Sequence, residues 1–322
     1  MRLGTFNIEN LDLARNMAVP FEDREAVLRP ALERMAADIL CLQEVDGQHV
    51  PGAPERRLVA LERLLRGTRY ETYDRVATLG PSGHGVASVH NLVTLSRFPI
   101  RGHRDIRHEL VKPLLHGYLS GQSKGCDHAP VGFDRPLLLA QIELPDGRGL
   151  DVINLHLRAA RASAIPGEKL SGTAWRSTSG WAEGYFLSAL KRAAQALELR
   201  LLIDGMLERD PERLIAIAGD FNAEDHETPV RLLVAAPEET GNAGLAARSL
   251  GVLDRRLPAD RRWSVLHRDG PEMLDHILVS QALLGHCRGI EVHNEHLANA
   301  DFSEAGIAGS THAAVVAELA LD

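Results

Sequence analysis

The 322-residue chain has no run of about 18 or more apolar residues, which excludes an ordinary membrane-spanning helix. Its start, MRLGTFNIENL, lacks the basic segment, apolar run and small-residue cleavage site of a secretory leader. The three cysteines, Cys41, Cys126 and Cys287, are far apart and form no CxxC. An odd, scattered set argues against a disulfide framework and a zinc–thiolate site, and points to a reducing, cytoplasmic setting. Aromatic residues make up 4% of the chain, so platforms for base stacking are few. Positive charge is not in excess either. A formal net charge of -8 gives no broad field for gathering long nucleic acid, although a local basic groove stays open. There is no GxxxxGK[ST] phosphate loop, GPSGHG at 80–85 lacks the strand-and-helix setting of a dinucleotide site, and Ser310 has no GxSxG around it.

What is present is an ordinary globular composition, 44% hydrophobic and 25% charged, without an internal repeat. Alternation predicts a strand over 2–9, and a helix follows at 21–37, where Pro30 should kink or shorten it. Residues 38–46 read as a buried strand ending in Gln43-Glu44, and 58–67 as a short helix stopped by Gly67. Segments 88–100 and 135–157 read as sheet, the second folded at Pro145-Asp146-Gly147-Arg148. The longest helix is expected over 181–208. A strand at 213–219, a short helix after Thr228-Pro229, and strands near 262–267, 274–279 and 313–319 complete the pattern.

Two long stretches, 109–135 and 158–180, are rich in Gly, Ser, Pro and charge and resist assignment. Loops of this length are commonly functional or disordered. They either cover the mouth of a site or lie free on the surface. In the second, Arg158, Arg161, Lys169 and Arg176 outnumber Glu168, and the three arginines are candidates for substrate binding.

Chemistry gathers at the strand ends. Asn7, Glu44, Asn154 with His156, Asp220 with Asn222, Asp275 with His276, and His312 all sit at or near the ends of apolar segments. Singly, each has a plain explanation as a cap or turn former. Together they form a set of carboxylates, amides and imidazoles without thiolates, which suits Mg²⁺ or Mn²⁺ better than zinc. The histidines are then free for acid–base or phosphate-stabilising work.

The segments TFNIEN, LCLQEVD, NLVTLSRFPI, VINLHL, GDFNAE, MLDHILVS and GSTHAAVVAEL, in this order from residue 2 to 319, resemble the endonuclease/exonuclease/phosphatase superfamily of DNase I-like fold. The resemblance implies one domain over 1–322. Its class is α/β (α+β), a four-layered sandwich of two packed mixed β-sheets flanked by helices, with loop insertions near 109–135 and 158–180. It implies a Mg²⁺- or Mn²⁺-dependent hydrolase that cleaves a phosphodiester, in a small molecule or a short nucleic acid, by activated water. On the matching positions Glu44 would hold the metal, with Asn7 nearby. Asp220 would orient or deprotonate the water, Asn222 would hold the water or a phosphate oxygen, and His156 would donate to the phosphate or the leaving oxygen. His312, oriented by Asp275, would stabilise the phosphorane. Asn154 would either pin its strand or contact substrate.

The chain departs from the family pattern at Ser310-Thr311-His312, where relatives usually carry Ser-Asp-His. A threonine brings no charge, so metal affinity should fall unless Asp301 or Glu304 replaces the carboxylate. The alternative is a weakly active or non-catalytic member that binds a phosphate ligand or a protein. His276 is expected to be a satisfied core ring, and Asn91 a partner for His156. His84, His90, His103, His108, His116 and His128 are expected in solvent.

Overall fold

Alternation along the apolar segments sets the architecture, because a strand shows successive side chains to opposite faces. In a computed structural model, residues 1–14, 18–121, 125, 128–300 and 306–321 are described. Strands β1 (Arg2–Leu11), β2 (Ile39–Val45), β3 (Asp74–Ala77), β4 (Asn91–Ser96), β5 (Ile100–Ile106), β6 (Leu114–His116), β7 (Ala129–Val131) and β8 (Leu137–Glu143) fill the first half. Strands β9 (Gly149–His156), β10 (Leu214–Asp220), β11 (Leu250–Val252), β12 (Val265–His267), β13 (Gly270–Glu272), β14 (Asp275–Ser280), β15 (Cys287–Val292) and β16 (Val315–Leu319) follow. Two mixed six-stranded sheets result, ordered β15-β16-β1-β2-β4-β3 and β11-β14-β10-β9-β8-β5.

Three apolar clusters define four layers. Leu3, Ile39 and Cys41 from the first sheet meet Val152, Ala216, Ala218, Ile277 and Val279 from the second. The intervening residues of β9 and β10, including Ile153, Ile215 and Ile217, turn outward against helix α3 (Thr178–Arg209). On the other side, Phe6, Ile8, Leu40 and Leu42 pack on α1 (Phe21–Met35) and α2 (Val59–Leu65). The four-layered DNase I-like sandwich read from the sequence is the observed fold.

Some local expectations change. Pro30 does not end α1, which runs on through it to Met35. Pro30 and Ala26, the residue whose carbonyl loses its i+4 partner, are both exposed, so water can satisfy the freed oxygen. Helix α3 begins before residue 181, with the Ser177 hydroxyl accepting from Gly180 N. The stretch 109–135 contains the β6–β7 hairpin, strapped to α3 by the buried Glu198 and Glu183. Cys41 and Cys287 are free and buried, while Cys126 lies outside the described residues. Among the described residues, no helix is long and apolar enough to cross a membrane.

Candidate active site

The site forms where the central layer runs out of apolar residues. Along β10, Leu214, Ala216 and Ala218 face the other sheet, and the next residue of that parity is Asp220. Along β9 the same face reads Leu150, Val152, Asn154, His156, and along β14 it reads Asp275, Ile277, Val279. Pairing then sets Asp220 between His156 and Asp275 in one row across three strands. Gly219 is required for this alignment. Its φ is +155°, and a Cβ there would lie 2.0 Å from the Leu155 carbonyl oxygen.

Asn7 of β1 faces this row. Its Nδ2 donates to Asp220 Oδ2 at 3.1 Å and to Glu44 Oε1 at 3.3 Å, and its Oδ1 accepts from Glu9 N. Glu44 belongs by parity with Leu40 and Leu42 on the helix side, but a bulge and a φ of +60° turn it to the site. Glu9, Asn10, His90 and Asn222 also carry positive φ at its border, making five of the eight such non-glycine residues described. Strain of this kind gathers at functional sites.

Asp220 is the centre. It accepts from Asn222 N at 2.8 Å and Asn222 Nδ2 at 3.0 Å, and His156 Nε2 lies 3.2 Å away. Burial pushes its carboxyl up to about 7, opposed by His312 and reinforced by Asp275. Burial lowers the His156 imidazole well below its ordinary value, with Arg135, His312 and His90 adding to the effect, so the ring is neutral. His312 behaves oppositely. Burial alone would lower it, but Asp275, whose Oδ2 is 2.8 Å from Nδ1, and Asp220 raise it to about 10. Ser310 locks this loop to β1 by donating to Asn7 O at 2.7 Å and accepting from His312 N at 3.0 Å.

Asp220, Asp275 and His312 bring potential ligand atoms within 4.8 Å of one another. Glu44 and Asp220 form a second acidic group, joined through the Asn7 amide nitrogen. Its oxygens are carboxylate oxygens, hard donors of the kind that suit Mg²⁺ or Mn²⁺.

Several residues have other surroundings than the sequence suggested. Asn154 is fully buried, accepting from Gln43 Nε2 at 2.8 Å and donating to Leu42 O and Val93 O. It joins the two sheets and has no group left for substrate. The Asn222 amide donates to Asp220 and Leu157 O, so it orients the carboxylate. Asn91 bonds Ala87 and Val45 and does not reach His156. His90 is not a solvent residue but a half-buried neighbour of Glu44 at 3.7 Å. His108 and His116 are also engaged, with Phe133 and Glu183, whereas His84, His103 and His128 are exposed. The His276 ring is satisfied in the core, as its pattern suggested, by Asp254 and Ala223 O.

Arg158 borders the site and pairs with Asp134 at 3.1 Å. Arg161 and Arg176 are exposed, and Arg176 donates to Gly167 O, while Lys169 lies over the Trp175 ring. Neither the Arg161 nor the Arg176 guanidinium bonds to the cluster. Asp301 and Glu304 lie outside the described residues.

Arg135 was missed. Its charge is felt by His156, and the carboxylates of Glu44 and Asp220 in turn act on it. Its Nη1 is buried without a hydrogen-bond partner among the described residues. With His90, Arg107 and Arg158 it lines a cleft of about 480 Å³. The only sequence signal was a lone basic residue before the strand that pairs with β9.

The family model described as the Endonuclease/Exonuclease/phosphatase family matches residues 4–309. The chain belongs to this family, whose members are metal-dependent phosphoesterases, nucleases and phosphatases among them. Similar solved structures include a family member from Leptotrichia buccalis C-1013-b, 14% identical over all of both chains, TM-score 0.55. The human Nocturnin catalytic domain with bound sulfate anion is 19% identical over 98% of this chain and 93% of that one, TM-score 0.54. An AP endonuclease from Archaeoglobus fulgidus is 16% identical over all of both chains, TM-score 0.52. At these identities the likeness is one of fold. By sequence comparison, no curated protein matches the chain.

Proposed function

We propose that this chain is a Mg²⁺- or Mn²⁺-dependent phosphoesterase, a single catalytic domain over residues 1–322 that hydrolyses a phosphodiester. The observation that carries the reading is one buried carboxylate, Asp220, flanked in register by His156 and Asp275 and faced by Asn7 and His312. Glu44, with Asn7 beside it, would hold the cation, whose chemistry is to neutralise and polarise a phosphate oxygen. Asp220, aligned by Asn222 and Asn7, takes the proton of the attacking water; a carboxyl raised to about 7 suits a base at neutral pH. His312, kept protonated by Asp275, faces the charge that develops on the phosphorane. Neutral His156 donates to the phosphate or the leaving oxygen, and Arg135 offers its unpartnered Nη1 to a phosphate oxygen.

The cleft at Arg135 and the acidic whole-molecule charge favour a small phosphodiester or a short nucleic acid over a long duplex. Free buried thiols at Cys41 and Cys287 support a reducing, cytoplasmic setting. The test is turnover of bis-p-nitrophenyl phosphate, the corresponding monoester and a short single-stranded oligonucleotide, each with Mg²⁺, Mn²⁺ or chelator. Metal-dependent cleavage of a diester is expected. Metal binding without turnover of any of them would favour the alternative, a non-catalytic phosphate-ligand or protein-binding member.

A further inference from the structure

Helix α3 buries charge where packing alone asks for none. Ala196, Leu199 and Ile203 pack on the second sheet, yet Arg192, Gln195 and Arg200 of the same helix are buried as well. A buried guanidinium is costly unless its donors are used, and an apolar side chain of similar volume would pack without that cost. Where the donors go therefore says what the charge does.

Arg192 Nη1 donates to the carbonyl oxygen of Asn222, and its Nη2 lies 3.9 Å from Glu227 Oε1. Asn222 is held in the left-handed region, φ +48°, which a residue other than glycine adopts at a cost. From that conformation its N and Nδ2 donate to the two oxygens of Asp220, at 2.8 and 3.0 Å. Arg192 thus grips the acceptor end of the residue whose donor ends align the carboxylate. On the same helix face, Gln195 Nε2 donates to Arg135 O at 2.8 Å, so neighbouring positions reach the backbone of two site residues. Arg200 is the internal contrast. It is as buried as Arg192 and donates from Nη1 to Leu233 O at 2.8 Å, but its partners, Leu233 O and Asp204, are not site residues.

We propose that Arg192 is the positioning residue of the catalytic base. By holding the Asn222 carbonyl it keeps Asn222 in the conformation from which both donors aim Asp220 at the attacking water. The assignment rests on the metal-dependent phosphoesterase reading. A carboxylate that takes a proton from water works only when its lone pair meets the line of attack, so a small rotation costs rate and leaves substrate binding largely intact. Arg192 acts on the reaction through Asn222 and not by touching the phosphate.

The experiment is steady-state hydrolysis of bis-p-nitrophenyl phosphate by the full chain in saturating Mn²⁺. Wild type is compared with Arg192→Met, Arg192→Lys, Asn222→Ala, the double variant Arg192→Met/Asn222→Ala, and Arg200→Met as the control. Thermal unfolding shows which variants are folded at the assay temperature. Arg192→Met is expected to lower kcat by about tenfold or more with KM within about twofold of wild type. Arg192→Lys keeps a charged donor without the planar fork and should lose several-fold; it carries the test if Arg192→Met does not fold. Arg200→Met, which loses the same kind of bond, should leave kcat unchanged. Beside Asn222→Ala the loss caused by Arg192→Met should shrink by about threefold or more, because the two act through one residue. Wild-type kcat in either folded Arg192 variant, an equal loss in Arg200→Met, or an undiminished loss beside Asn222→Ala overturns the assignment alone. Absence of chelator-sensitive turnover by wild type overturns the phosphoesterase reading and the assignment with it.

Discussion

Replacing Asn154 separates scaffold from chemistry. The side chain makes three buried hydrogen bonds, one from Gln43 Nε2 and two to the carbonyls of Leu42 and Val93. Asn154→Leu is close in volume, so little cavity forms and the loss is that of the bonds. Gln43 keeps Thr5 Oγ1 at 3.1 Å as a partner, which limits the penalty on its amide. Three bonds at about 1 kcal/mol each give a destabilisation of about 3 kcal/mol. Against a typical total of about 5–15 kcal/mol this is large. Urea denaturation of both proteins measures it, and steady-state turnover at low denaturant reports the folded fraction's chemistry. The kcat/KM per folded molecule should stay near wild type. A stability change below about 1 kcal/mol, or a raised KM at full stability, would refute the reasoning and move Asn154 to the substrate.

Other expected outcomes follow from single contacts. Gly219→Ala should be strongly destabilising, by about 3 kcal/mol or more, because its Cβ would meet the Leu155 backbone at 2.0 Å; thermal unfolding checks this, and a midpoint near wild type would contradict it. Arg135→Gln should lower kcat/KM on a phosphodiester by about tenfold or more and weaken inhibition by inorganic phosphate, with Arg135→Lys recovering part of both. His276 donates from both ring nitrogens, to Asp254 and Ala223 O; although burial alone would lower it, Asp254 raises it to about 9. A raised histidine stabilises most below its unfolded value near 6.5 and loses that contribution as pH climbs through about 9. Unfolding free energy should therefore fall by up to about 3 kcal/mol between pH 7 and pH 10. Asp254→Asn should flatten that slope in urea titrations across the same range.

Much of this organisation is legible in the sequence because strands alternate. Leu214, Ala216, Ala218 and Asp220 share one parity, so a carboxylate that ends the inward face could be picked out without coordinates. The same holds for His156 and Asp275. Parity fails where the backbone leaves the strand conformation. Glu44 changes sides at a left-handed bulge, and no periodicity marks which carboxylate a bulge will redirect. Thr311 read alone is a lost charge; beside Glu9 it is a hydrogen-bond donor to one. Asn154 obeys parity, yet its role depended on Gln43 of the facing sheet. Arg135 precedes Pro136 outside any strand, where residue type alone does not say what the side chain approaches. The basic residues at 158–180 show the reverse case, since a charge excess in sequence resolved into one site neighbour, Arg158, and side chains held within their own loop.

The central claim is that Asp220 is the base of a metal-dependent phosphoesterase, and the most direct measurement is the hydrolysis of bis-p-nitrophenyl phosphate by wild type and Asp220→Asn in saturating Mn²⁺. Wild type should turn over and stop on chelation. Asp220→Asn, similar in shape but unable to take the proton, should be slower by about 10²–10⁴-fold. Turnover by Asp220→Asn within a few-fold of wild type, or hydrolysis indifferent to chelator, would contradict the claim.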